Sequence, residues 1–239
     1  MEILKNGIEI TYFGHSTFGI KSVKGKKILI DPWVNENPMC PEKLKDIKNV
    51  DIIAVTHGHS DHIGDLLNIA RKFKPVVIST FEIYKWLNNK GIENCLPINK
   101  GGSQNVDGIE FTMTHAQHSS SIEDEDGSLI YAGEPGGYVI KFENRFTIYH
   151  AGDTNLFGDM KLIKEIYRPE LVMLPIGDVF TMSPLEASFA CRLLLPKYVI
   201  PMHYATFPML SGTPEELKDM TYDLGGLQIL DLKPGESLK

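Results

Sequence analysis

Three histidines and one aspartate fall within six residues, His57-Gly58-His59-Ser60-Asp61-His62. Imidazole and carboxylate are the ligands that suit borderline divalent cations such as zinc, and Gly58 and Ser60 are small enough for a sharp loop. Alternate side chains of such a loop splay to opposite sides. His57 and His59 are therefore expected to address one ion, and Asp61 and His62, at the start of the following helix, a second. With residues treated as independent, a His-x-His-x-Asp-His pattern has a chance of roughly one in two thousand in a chain of this composition, so accident explains it poorly. The bland alternative is a polar surface loop in which Asp61 merely caps a helix.

Further candidates sit just beyond the carboxyl ends of apolar runs. Asp31 follows Lys27 to Ile30, His118 follows Ile109 to Thr114, Asp153 follows Phe146 to Tyr149, and His203 follows Val199-Ile200. Strand ends at one edge of a sheet converge in space, which is where sites collect in α/β architectures. Asp31 is expected to accept a hydrogen bond from a ligating imidazole and fix its tautomer, or else to be a strand-end turn residue before Pro32. His115 competes with His118 for one ligand position. His15 and His150 lie beside the same segments and either contact substrate or are satisfied interior histidines. Tyr204 and Thr206 follow His203 closely and offer hydroxyls to a developing oxyanion, or simply pack the loop.

The elements that must carry these residues are legible in the pattern of apolar positions. Ile8 to Ile20 reads as two short strands around Gly14, and Lys27 to Ile30 as a buried strand. Val50 to Val55 is a strand, Ile63 to Phe73 a helix, Val76 to Ile78 a strand, and Phe81 to Asn89 a helix closed by Gly91. The second half repeats the order. Strands are expected at Ile109 to Thr114, Gly137 to Phe142 and Arg145 to Tyr149, with Glu143-Asn144 as a tight turn between the last two. Helices at Met160 to Ile166 and Pro184 to Leu195, the latter capped by Ser183, then alternate with strands at Leu171 to Leu174 and Tyr198 to Ile200. A helix from Pro214 and a strand at Leu227 to Leu232 close the chain. Two sheets, each with helices on its outer face, is the layering this order predicts. Nothing among the 239 residues marks an internal boundary, so one domain over 1–239 is expected.

Bulk properties exclude several classes. The chain is 42% hydrophobic and 23% charged, ordinary for a globular domain with a sizeable core. A net charge of −7 opposes attraction to a phosphate backbone, so nucleic acid is not an expected partner. No apolar run is long enough to span a bilayer and the first residues do not read as a signal peptide, so neither membrane association nor export is expected and a cytoplasmic location is. Cys40, Cys95 and Cys191 are widely spaced and read as small core residues. The acidic run Glu123-Asp124-Glu125-Asp126 reads as a solvated loop that disfavours polyanionic substrates.

In order along the chain stand Ile30-Asp31-Pro32, Thr56-His57-Gly58-His59-Ser60-Asp61-His62, His115-Ala116-Gln117-His118-Ser119-Ser120, His150-Ala151-Gly152-Asp153-Thr154 and Pro201-Met202-His203-Tyr204. With these five motifs the chain resembles the metallo-β-lactamase superfamily from end to end. Phe13-Gly14-His15-Ser16-Thr17 and Gly133-Glu134-Pro135-Gly136-Gly137-Tyr138 resemble, more narrowly, its branch of metal-dependent hydrolases related to L-ascorbate-6-phosphate lactonases. The resemblance implies an α+β fold, a four-layer αββα sandwich of two stacked mixed sheets. It also implies His57, His59 and His118 on one metal, Asp61, His62 and His203 on a second, and Asp153 bridging them. Asp61, Asp31 and His15 are the residues expected to assist catalysis. The implied activity is hydrolysis of a small ester, lactone, amide or phosphodiester by a hydroxide activated between two divalent ions. Zinc comes first among these, with manganese, nickel or iron(II) also suited.

Three rivals share the fold. A nuclease would add a basic arm, a di-iron oxygen reductase would carry Glu where His59 stands, and a silent binding module would lack ligands. The expected partner is a small-molecule substrate, and the sequence leaves homo-oligomerisation open.

Overall fold

The computed structural model describes residues 4–124 and 126–239. The amino-terminal half lays down β1 (Glu9–Gly14), β2 (Thr17–Lys21) and β3 (Lys27–Ile30), a short helix α1 (Glu42–Lys45), then β4 (Ile52–Ala54). Helices α2 (Ser60–Ile63) and α3 (Leu66–Phe73), strand β5 (Val76–Thr80), helix α4 (Phe81–Asn89) and strand β6 (Cys95–Ile98) follow. The second half begins with β7 (Ser103–Val106) and β8 (Ile109–His115), a small hairpin of β9 (Ser121–Glu123) and β10 (Leu129–Tyr131), then β11 (Gly136–Lys141) and β12 (Thr147–His150). It ends with α5 (Met160–Tyr167), β13 (Leu171–Pro175), α6 (Pro184–Leu194), β14 (Tyr198–Met202), α7 (Pro214–Met220), β15 (Gln228–Ile229) and β16 (Ser237–Leu238).

Two seven-stranded sheets result, ordered β16-β1-β2-β3-β4-β5-β6 and β15-β14-β13-β12-β11-β8-β7. Both are mixed. In the first, β3 to β6 run parallel and the β1-β2-β3 meander antiparallel. In the second, β12 to β15 run parallel and β7, β8, β11 and β12 antiparallel. Strand alternation sends one set of apolar side chains between the sheets, where Ile10, Phe18, Ile30 and Ile52 meet Phe111, Tyr138, Ile148 and Ile200. The other set faces outward under helices. Leu29, Ile53 and Val77 pack with Leu66, Ile69, Ile83 and Leu87, while Tyr149, Val172 and Val199 pack with Met160, Ile163, Ala187 and Leu194. This is the four-layer αββα sandwich.

Several elements depart from the sequence expectation, each for a local reason. The helix expected from Ile63 to Phe73 begins only at Leu66, because the Asp65 amide, which would continue the preceding turn, donates instead to the Pro32 carbonyl (2.8 Å), while its carboxylate accepts from the Val34 and Asn35 amides (2.6 and 2.9 Å). The turn after β11 holds three residues rather than two. Phe142 pairs with Phe146, and Arg145 takes the left-handed conformation (φ 72°) that closes three-residue hairpins. β6 carries Pro97 and β7 is polar, so neither shows a strand pattern; both are sheet edges, where such residues are tolerated. The strand expected at Leu227 to Leu232 pairs only over Gln228–Ile229. The acidic run, expected as loop, starts at the end of β9 and enters the hairpin turn; its Glu125 lies outside the described residues. All three cysteines are buried and unpaired.

Candidate metal centre

The candidate ligands lie in the segments that follow the carboxyl ends of β4, β8, β12 and β14. β4 ends at Ala54, Val55 to His59 lead to α2, and Asp61 and His62 lie within that helix. Gly58 is required in this segment. A Cβ on it would stand 2.6 Å from the Ala132 Cβ and 3.0 Å from the Ser121 carbonyl oxygen, because the β9-β10 hairpin lies directly over it. Backbone strain collects at the same edge, with His15 (φ 58°), Asp31 (φ 49°) and His203 (φ 54°) all left-handed. Non-glycine residues hold that conformation only where the surroundings over-determine it. One such tie is the His203 amide, which donates to the His15 carbonyl oxygen at 2.9 Å.

The side chains converge in three overlapping groups whose ligand atoms lie within 4.8 Å of one another: His57, His59 and His118; His15, Asp61, His62 and His203; and His57, His62 and Asp153. In the first group the His57 tautomer follows from its partners. His57 Nδ1 donates to Thr56 Oγ1 (3.0 Å), whose own hydroxyl donates to Asp31 Oδ2 (2.7 Å), which leaves the lone pair on His57 Nε2. His59 Nε2 faces Ser119 Oγ at 3.4 Å, and His59 Nδ1 faces His57 Nε2 at 3.0 Å. With the His57 lone pair on Nε2, that short approach is bridged by a proton on His59 Nδ1, and a cation could take the proton's place. The rings of His118 stand 5.2 and 5.1 Å from those of His57 and His59.

Asp153 joins the groups. Its Oδ2 lies 2.9 Å from His203 Nε2, 3.3 Å from His62 Nε2 and 3.7 Å from His118 Nε2. Asp61 Oδ2 lies 3.9 Å from His203 Nε2 and 4.0 Å from His62 Nε2. Buried yet without a hydrogen-bond partner are His62 Nε2, Asp153 Oδ1 and His203 Nδ1. Orphaned buried polar atoms are costly in a native fold, and His62 Nε2, which faces Asp153 and Asp61 among the other candidate ligands, is an orphan that a divalent cation would satisfy. The donor set fits a metal.

Electrostatics prepare neutral donors at three of the histidines and gather carboxylates around a fourth, His62, whose proton a cation could replace. Burial, reinforced by neighbouring imidazoles, holds His57, His59 and His118 below the ordinary histidine range, so they are neutral donors near pH 7. Burial would also lower His62, but Asp153, Asp31 and Asp61 outweigh it and raise its pKa well above the usual value. Burial pushes Asp153 and Asp61 upward and is outweighed in both. The charges of His203 and His62 hold Asp153 down, and His62 with the His15 hydrogen bond holds Asp61 down. Three carboxylates within one small pocket leave it rich in negative charge.

The supporting residues are placed as follows. Asp31 is fully buried and accepts from Thr56 N (2.8 Å), Thr56 Oγ1 (2.7 Å) and His62 Nδ1 (2.8 Å). His15, for which substrate contact and a satisfied interior position were the two expectations, is fully buried, with both ring nitrogens occupied. Nε2 donates to Asp61 Oδ2 (3.0 Å) and Nδ1 accepts from Thr206 (2.9 Å). Burial lowers its pKa to about 4, so it is neutral near pH 7. Asp31 and His15 therefore act through His62 and Asp61 and position them. His115 points away from the cluster, exposed, against Lys100 Nζ (3.2 Å) and the Phe157 ring; His118 occupies the place for which the two compete. His150 is interior, donating through Nε2 to the Ser16 carbonyl and accepting at Nδ1 from Gly152 N (both 3.1 Å). The Tyr204 hydroxyl donates to Asp231 at 3.3 Å, and Thr206 supports His15, so neither hydroxyl is aimed at the ligand atoms. Thr56 and Ser119 went without a role at the sequence level. Both stand inside motifs quoted there, and the signal was their position beside ligands.

A family model described as Beta-lactamase superfamily domain matches residues 26–204. A metal-dependent hydrolase of Rubrobacter xylanophilus is 52% identical over 233 residues, covering 97% of this chain and 96% of the relative. Another, from Koribacter versatilis, is 50% identical over 231 residues, covering 97% of each. Among solved structures, Igni18, a metallo hydrolase from Ignicoccus hospitalis, superposes with a TM-score of 0.84 at 38% identity, covering 96% of this chain and 97% of that one.

Proposed function

Because the chain belongs to the β-lactamase superfamily and is a metal-dependent hydrolase, we propose that it works through two divalent cations, zinc first among them, on a small ester, lactone, amide or phosphodiester. The observation that carries this reading is Asp153, whose one oxygen lies within 3.7 Å of His118 on one side and 2.9 Å of His203 on the other. His57 Nε2, His59 Nδ1 and His118 Nε2 would hold the first ion, Asp61 Oδ2, His62 Nε2 and His203 Nε2 the second, with Asp153 shared. Bound there, two such ions supply an activated water as nucleophile and polarise the scissile carbonyl or phosphoryl oxygen.

The protein's own groups do the rest. Thr56 and Asp31 form a relay that keeps the His57 lone pair on Nε2, and Asp31 fixes His62 in the same way. Neutral His15 donates to Asp61 and so keeps that carboxylate ionised and aimed. Asp61, with 25% of its side chain exposed, is the most accessible carboxylate of the cluster, and in its ionised form it can accept a hydrogen bond from a substrate or the attacking water and so orient it. The net charge of −7 favours a small substrate over a polyanion.

The test is to strip the protein with a chelator and titrate zinc back while following turnover of p-nitrophenyl acetate and bis-p-nitrophenyl phosphate. Activity should return over two equivalents. Turnover by the stripped protein, or full recovery at one equivalent, would overturn the dinuclear reading.

A further inference from the structure

The segment between β13 and α6 carries an exposed apolar pair at an unusual backbone position. Val179 is 60% exposed and Phe180 53% exposed. Val179 is also left-handed (φ 52°), a conformation that a β-branched residue adopts only at a cost. Packing does not account for it, because the side chain faces solvent.

The segment is sewn to ligand-bearing loops on both sides. The Met182 amide donates to the carbonyl of Thr154, the residue after Asp153 (3.1 Å). On the other side, a Cβ on Gly177 would stand 2.0 Å from the His203 carbonyl oxygen and 3.3 Å from the Leu210 Cβ, so the two backbones are in direct contact. A Cβ on Gly212 would likewise meet the Ile176 carbonyl oxygen at 1.8 Å. The 203–212 loop carries its own apolar groups. Met209 is 49% exposed, and the half-buried Phe207 ring packs against Trp33 (6.0 Å) and against His15 (5.8 Å), the residue that donates to Asp61. Val179, Phe180, Phe207 and Met209 thus come from two contiguous loops, one beginning at His203 and the other joined to Thr154.

We propose that Val179, Phe180, Phe207 and Met209 form the rim that binds an apolar acyl or aryl group of the substrate, next to the Asp61, His62 and His203 side of the metal centre. The proposal rests on the hydrolase reading above and narrows it to substrates with an aliphatic or aromatic portion beside the scissile bond. The backbone strain at Val179 holds that side chain out at the rim, where apolar surface is worth something only when a ligand covers it.

The metal-loaded protein tests this with two probe series. One is turnover of p-nitrophenyl esters from acetate to octanoate; the other is calorimetric binding of acetate, butyrate and octanoate. kcat/KM and carboxylate affinity should both rise about twofold per methylene, below the roughly fourfold that complete burial of a CH2 gives. Phe180→Ser should at least halve that dependence. Val179→Gly, which adopts the same φ without strain, should weaken it while keeping the fold and metal content. Affinity that is independent of chain length, or no carboxylate binding at all, overturns the proposal. So does a chain-length dependence that survives both substitutions while Phe180→Ser shrinks the particle in sedimentation, which would assign the surface to a second copy of this chain. Absence of any ester or phosphodiester turnover would sink the hydrolase reading, and the carboxylate series would still decide the rim.

Discussion

Asp31 receives three hydrogen bonds, from Thr56 N, Thr56 Oγ1 and His62 Nδ1, and is out of reach of solvent and substrate. Its charge is spent on the posture of two candidate ligands at once. Asp31→Asn keeps the volume but replaces one acceptor by a donor facing donors. Metal affinity measured by chelator competition should fall between about ten- and a hundredfold, with the fold retained; an unchanged affinity would show that the relay is ornamental. His150 makes a different prediction. Burial first of all holds it below the ordinary histidine range, and its Nδ1 must stay unprotonated to accept from Gly152. Above the unfolded value of about 6.5 it therefore adds no pH dependence, whereas below that value the unfolded chain takes up a proton that the folded chain refuses. Stability should fall as the pH drops from 7 toward 5, and denaturation profiles of the metal-loaded protein should show a shallower fall in His150→Gln.

Elements place the site through their ends more than through their interiors. α6 is held in register by a capping box, in which Ser183 Oγ accepts from Glu186 N and the Glu186 carboxylate accepts from Ser183 N (2.9 Å). Ser183→Ala should cost about 1 kcal/mol in denaturant titration. The β9-β10 hairpin acts as a roof on the ligand loop. Gly58→Val would drive a side chain into Ala132 and Ile122. We expect roughly 1 to 3 kcal/mol of destabilisation together with weakened metal binding, since overpacking here moves His57 and His59 as well as the hairpin. Core strands and the longer helices were legible at this scale because their apolar periodicity is strong; α4 spans Phe81–Asn89 in both readings. The break before α3 was not legible. It depends on the Asp65 amide donating to the Pro32 carbonyl, far away along the chain, and no local propensity encodes that contact.

For the molecule as a whole, the two sheets meet through Phe111, Tyr138 and their neighbours while their strand ends deliver ligands to one edge. Bound cations would stabilise the folded state by mass action, since the unfolded chain holds no such constellation. Chelation should therefore lower the melting temperature, by an amount corresponding to roughly 4 kcal/mol if free metal stands a thousandfold above its dissociation constant. A melting temperature indifferent to chelator would remove the premise that these residues hold metal. The sequence by itself determined the family, the layer order and which residue types were available for metal, because a ligand loop is dense in signal and strand periodicity is local. Only the tertiary structure decided between His118 and His115, turned His15 inward onto Asp61, and laid the backbone at Gly177 against that of His203. Those outcomes depend on which backbones approach across the top of two sheets, and the distances between segments far apart in the chain are fixed by packing alone.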